Sequence, residues 1–237
     1  MGASKPDPSI IERLRDPDDR WAGIVRDLIW VVGVVGLIAL ALFLVSGTWP
    51  AVVAIESGSM VQNMNVGDLV LVVSADRYGN LTTSEEGAQT GYGRFNTHPS
   101  SAGDPVYGDV IVYKPNGATN IHPIIHRALE YVNESEAATR FGADHAGYIT
   151  KGDHNTIQDQ DPLAQYQGFG HIQPVKDEWV IGKAFFVIPF VGHLPLNLPL
   201  VAAVVIGLML LYEVWSWWRQ REPEPEPSRS KKKDRRR

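Results

Sequence analysis

From Leu28 to Ile55 the chain carries no charged residue, and its centre, Ile29 to Val45, is dominated by Val, Leu, Ile, Ala and Gly. A helix needs about 20 apolar residues to cross roughly 30 Å of hydrocarbon, so this run predicts a transmembrane helix over residues 28–50. A cleaved signal peptide has a shorter apolar region that ends at a small-residue site. Here the run continues to Trp49-Pro50 and follows a polar leader, residues 1–27, which favours a retained span. A second uncharged run, Leu194 to Tyr212, has prolines only near its start and closes on Glu213, Trp215, Trp217, Trp218 and Arg219. Aromatic residues followed by base mark a membrane interface, and a second span is expected over residues 194–218.

Between the runs the period changes. Val66-Gly67-Asp68 opens Leu69-Val70-Leu71-Val72-Val73, and Tyr107-Gly108-Asp109 opens Val110-Ile111-Val112-Tyr113, so a Gly-Asp turn twice introduces a β-branched strand. Ile121 to Leu129, Tyr148 to Thr150 and Trp179 to Ile188 read as further strands, and no long stretch there holds a helical period. The expected fold is mainly β: an antiparallel domain, residues 51–193, anchored by two transmembrane helices. Residues 74–105 are rich in Gly, Ser, Thr, Asn and Glu with little apolar content, and predict a surface insertion. Asn80-Leu81-Thr82 and Asn133-Glu134-Ser135 are glycosylation sequons.

Charge adds orientation. Met1–Asp27 holds five basic residues and Arg219–Arg237 nine, and the positive-inside rule assigns both ends to the cytoplasm. The 51–193 domain then lies outside the cell membrane of a multi-pass protein. The middle of the chain, Leu28–Trp218, has eight basic and seventeen acidic residues, which argues against nucleic acid as a partner because it would repel phosphate. The absence of cysteine excludes disulfides, thiolate metal sites and a cysteine nucleophile. The tail, residues 219–237, alternates Glu and Pro before a basic cluster and is expected to be disordered, with anionic lipid as its natural contact.

The chemistry is sought where the first span leaves the membrane, at Glu56-Ser57-Gly58-Ser59-Met60. A serine hydroxyl is hardly ionised at neutral pH and needs a base. Lys114, Lys151, Lys176 and Lys183 and the histidines His98, His122, His126, His145, His154, His171 and His193 are available, and spacing does not choose among them. His122 and His126 with Asp153 or His154 would alternatively suit a metal. Pro123 argues against a helical pair, but alternation on a strand would still put both histidines on one face, so the metal alternative stays open. No full ligand motif follows, and the favoured expectation is no cofactor.

Three blocks in order, and a closing strand after them, resemble signal peptidase I of the archaeal and endoplasmic-reticulum type, membrane serine peptidases that remove signal peptides from exported proteins. Ser57-Gly58-Ser59-Met60 with Gly67-Asp68 resembles the nucleophile box, which implies attack by Ser59. Ile124-Ile125-His126-Arg127 resembles the block where this branch has histidine, which makes His126 the general base. Lys151-Gly152-Asp153-His154-Asn155 followed by Asp159 resembles the Gly-Asp block with its downstream acid, and Gly182-Lys183 with Val187-Ile188-Pro189 resembles the closing strand. The resemblance covers Val53 to Gly192 apart from the insertion. It departs where Val61-Gln62 replaces a common proline and where His154 stands in place of asparagine. Asp159 is favoured over Asp153 as the acid orienting the histidine, and the oxyanion donors implied are the Ser59 amide and the Ser57 hydroxyl.

The expected function is therefore a membrane-bound serine endopeptidase acting on secretory preproteins at the outer face, with the bilayer and other membrane subunits as partners. The resemblance implies a cleft for small side chains one and three positions before the cut. Two rivals stand beside this reading: a non-catalytic membrane-anchored β-domain binding protein, and a dedicated processor of a few surface-protein precursors.

Overall fold

A computed structural model of the chain describes residues 20–164, 166 and 170–219. Most of the expected leader and nearly all of the basic tail, residues 1–19 and 220–237, lie outside the described residues. The chain divides into two compact units, Met1–His193 and Leu194–Arg237.

The first unit opens with helix α1, Arg20–Ser46, whose Trp21–Ser46 stretch has a mean hydropathy of 3.0 and presents its apolar side chains outward. It starts earlier and stops sooner than the expected 28–50, because Gly47 takes a left-handed conformation (φ 71°) after the last turn. The last four carbonyls of a helix lack partners within it, and here each is met. Gly47 N–H donates to Phe43 O at 2.8 Å, the Arg77 guanidinium to Leu44 O, Tyr78 Oη–H to Val45 O at 3.1 Å and Ser74 N–H to Ser46 O at 2.9 Å. Thr48 Oγ1 donates to Ile181 O at 2.7 Å. The end of the apolar helix is thus fastened to residues 74–78 and to Ile181.

Six strands form one antiparallel sheet: β1 (Val52–Ala54), β2 (Leu69–Val73), β3 (Val110–Tyr113), β4 (Ile124–Val132), β5 (Gly147–Lys151) and β6 (Val180–Ile188), in the order β1-β2-β6-β3-β4-β5. β3 is buried at every position and holds the centre. Ile55, Met60, Met64, Val70, Val72, Val110, Val112, Ile125 and Ala184 make one core cluster. Each such side chain contributes roughly 1.5–3 kcal/mol when fully buried, apart from the small Ala184. Ile111, Tyr113, Ala128, Ile172 and Val175 fill the layer on the other side of β3.

The 74–105 segment is more than a polar excursion. It carries α2 (Ser84–Thr90), with Thr83 and Glu86 forming a reciprocal cap, and Gly87 packs so closely that a Cβ would lie 2.6 Å from Gly108 N. Phe95 packs against the main core and Leu81 against the second cluster. A second short helix, α3 (Glu134–Phe141), is capped by Asn133, the residue of the second sequon. Two turns are too short to display a period.

In the second unit α4, Leu198–Arg219, has a mean hydropathy of 2.1 and no buried residues. Both α1 and α4 are long and apolar enough to cross a membrane.

Candidate active site

The loop between β1 and β2 carries Ser57 and Ser59 and is pinned at several points. Met60 and Met64, both fully buried, plug it into the core. Gly67 N–H donates to Ile55 O and Ile55 N–H to Asp68 O, each at 2.9 Å, closing the loop at its base. Asp68 is buried, and its carboxylate accepts from Asn65 N–H at 2.9 Å and Phe190 N–H at 3.2 Å. Gly67 has φ 86°, and a Cβ there would collide with the His193 ring, so the Gly-Asp pair is needed for the turn. The product is a half-buried Ser59 and an exposed Ser57 with their hydroxyl oxygens 3.2 Å apart.

Strand β4 supplies the other wall. Its alternation sends His126 and Arg127 to opposite faces, and both are buried. His126 Nδ1 lies 2.6 Å from Asp159 Oδ2. The carboxylate fixes the ring proton on Nδ1, leaving the lone pair on Nε2. Nε2 and the Ser59 carbonyl oxygen lie 3.0 and 2.5 Å from the point that a Cβ on Gly152 would occupy. Gly152 is therefore the spacer that lets the serine loop and the histidine share one cleft. His154 N–H donates to Ser59 O at 2.9 Å and Asp153 N–H contacts Met60 Sδ at 3.5 Å, tying the 152–154 turn to the serine loop. Among the described residues no hydrogen bond joins Ser59 Oγ to His126 Nε2.

Asp159 is almost fully buried and richly supplied with donors. Thr150 Oγ1 donates at 2.6 Å, Tyr113 Oη at 2.8 Å and Tyr166 Oη, to the second oxygen, at 2.5 Å. Burial by itself would raise its pKa, but the His126 charge and the hydrogen bonds from His126, Thr150 and Tyr166 outweigh it and hold the carboxyl below its usual range. Burial and the Asp159 charge push the Tyr113 and Tyr166 hydroxyls upward, so both remain protonated donors.

Asp153 is engaged elsewhere. Arg127 grips it with two bonds, Nε to Oδ1 at 2.8 Å and Nη2 to Oδ2 at 2.7 Å, and Asn63 Nδ2 adds a third at 2.8 Å. The remaining guanidinium donors reach Arg94 O, Tyr107 O, Gly108 O and Phe95 O, which pins the 74–105 segment to the sheet. Asp153 and His126 thus belong to separate networks. The alternative metal set is likewise divided, with His122 on Glu56, His126 on Asp159, Asp153 on Arg127, and His154 exposed.

The cleft has a volume of about 490 Å³ and is lined by Val53, Ala54, Glu56, Ser57, Ser59, His122, Pro123, Ile124, Ile125, His126, Asn155 and Tyr166. Among the described residues β1 pairs with β2 alone. β5 joins β4 only from Arg127 onward, so among the described residues Ile124–His126 also keep one edge without a strand partner. Two free backbone edges bordering an apolar cleft with a hydroxyl and an imidazole can receive an extended chain and attack it. The second half of this arrangement was not readable in the sequence: Tyr113, Thr150 and Tyr166 come from three distant segments, and only Arg127 had a signal, its place beside His126 on an alternating strand.

No protein-family model matches the chain. Over 106 residues, 43% of its length, the chain is 32% identical to the signal peptidase complex catalytic subunit SEC11 of Metarhizium robertsii. It spans about half that relative, 52% of its length.

Proposed function

We propose that this chain is a signal peptidase of the serine type, a membrane-bound endopeptidase that removes N-terminal signal peptides from exported preproteins at the outer membrane face. The observation that carries the reading is the convergence of Ser59 and the His126–Asp159 pair on one cleft bordered by unpaired strand edges. The partial similarity to a signal peptidase subunit supports the same class.

In this reading Ser59 Oγ attacks the scissile carbonyl carbon while His126 Nε2 accepts its proton. Asp159 stabilises the imidazolium and keeps the ring in the required tautomer. The Ser59 amide and the Ser57 hydroxyl donate to the developing oxyanion. His126 then protonates the leaving amine, and water, deprotonated by the same nitrogen, releases the signal peptide from Ser59. Asp153 acts through Arg127 to hold the domain around the site, and no cofactor takes part.

Membrane attachment suits such a substrate, itself an apolar helix. Enzyme and substrate confined to one plane meet at raised effective concentration. The capped end of α1 leads within six residues to β1 and within thirteen to Ser59, so the site stands close to where the first span ends. With α1 and α4 read as spans, the basic flanks support a cytoplasmic location for both termini and an outer one for residues 51–193. The relative is named as a subunit of a complex, which supports further membrane subunits as partners beside preproteins and lipid.

The test is direct. Purified full chain in detergent, given a signal-bearing precursor, should release one mature product whose new N terminus lies just after the apolar segment. Intact precursor after prolonged incubation with folded protein would contradict the reading.

A further inference from the structure

Across the mouth of the cleft Glu56 Oε2 meets His122 Nδ1 at 2.9 Å, joining segments 66 residues apart in sequence. Glu56 immediately precedes the serine loop and His122 lies two residues before β4, so the contact links the two walls. Both side chains line the cleft and both face solvent, at 82% exposure for His122 and 52% for Glu56. Among the described residues no arginine or lysine lines this cleft. The Asp159 carboxylate is buried and matched to His126. With the His122 ring neutral the pair carries one negative charge, and with the ring protonated it carries none. In neither state is the rim positive.

An extended peptide entering between Ala54 and Ile124 must pass this pair. A basic side chain there can take Glu56 as its counter-ion, whereas an acidic one faces a like charge, with no lysine or arginine among the described lining residues. We propose that Glu56, held in place by His122, selects substrates by charge, favouring a basic over an acidic side chain within about three residues of the scissile bond. The proposal rests on the peptidase reading and adds a specificity residue to it. The exposed setting limits the effect, and the Lys-to-Glu preference should be about fivefold at the position that meets Glu56.

The experiment uses matched precursors that differ only by Lys, Gln or Glu at each of three positions on either side of the cut. Full-length wild type in detergent should cleave the Lys form about fivefold faster in kcat/KM than the Glu form at one of these positions. Glu56→Gln should bring that ratio close to one and Glu56→Lys should invert it. His122→Gln should weaken the preference while keeping its sign. The same peptides bound to Ser59→Ala, followed by fluorescence anisotropy, read charge preference without cleavage. A ratio near one in wild type for both cleavage and binding, or one that Glu56→Gln leaves unchanged, overturns the proposal. Charge-selective binding without any cleavage would sustain it while sinking the peptidase reading.

Discussion

His126 Nδ1 and Asp159 Oδ2 stand 2.6 Å apart where their side chains are 4% and 0% exposed. A charge this deeply buried is costly unless hydrogen bonds replace its water, and Thr150, Tyr113 and Tyr166 supply them. The carboxylate is thus prepared before any substrate arrives. An imidazole that gains a proton beside it needs no further rearrangement, which is the arrangement a general base requires.

Replacing Asp159 by Asn should therefore lower kcat by about 10³–10⁴ by favouring the wrong tautomer. Stability should respond as well. A carboxyl held below its unfolded pKa, near 3.9, stabilises the fold fully above that value and loses the contribution as pH falls through the folded pKa. Thermal melting of wild type should drop more steeply below about pH 4 than that of Asp159→Asn, and parallel profiles would count against the buried pair.

Ser57 is exposed and its hydroxyl oxygen lies 3.2 Å from that of Ser59. Ser57→Ala should cost about 10²–10³ in kcat with little change in KM and an unchanged melting temperature. A loss below threefold would remove Ser57 from the oxyanion role.

Gly152 is a point of close approach between the two walls. A methyl group there would lie 2.5 Å from Ser59 O and 3.0 Å from His126 Nε2. Gly152→Ala should displace the serine loop, lower melting by an amount matching about 1–3 kcal/mol, and reduce cleavage disproportionately. Unimpaired cleavage would mean that catalysis does not need the loop and the histidine to approach this closely.

Arg127 is buried with Asp153, and its removal strands that carboxylate. Arg127→Met should cost about 3–5 kcal/mol in chemical denaturation, and adding Asp153→Asn should restore part of it. If the double variant is no more stable than the single one, the stranded Asp153 charge is not the source of the loss.

Much of this was legible in the chain because the strongest signals are local. The two apolar runs, the Gly-Asp turns and the β-branched strands after them follow from period and turn chemistry over a few residues, and β2 and β3 begin and end where that pattern does. Strand β4 starts three residues later than the apolar run suggests, because His122 and Pro123 line the cleft and Pro123 cannot donate to a ladder. The 74–105 segment was harder to read. Its fastening depends on Gly87, Phe95 and the backbone carbonyls that meet Arg127, contacts between distant residues that leave no periodic trace. The residues surrounding Asp159 are hidden for the same reason, since a tyrosine in β3 and another at residue 166 look like ordinary core side chains until the sheet brings them together.

The most direct test is cleavage of a signal-bearing precursor by membranes that hold wild type, Ser59→Ala or His126→Ala and no other processing enzyme, with expression and topology verified for each. Processing by wild type and its loss in both variants is the predicted result. Processing that survives Ser59→Ala would contradict the serine mechanism and with it the central claim.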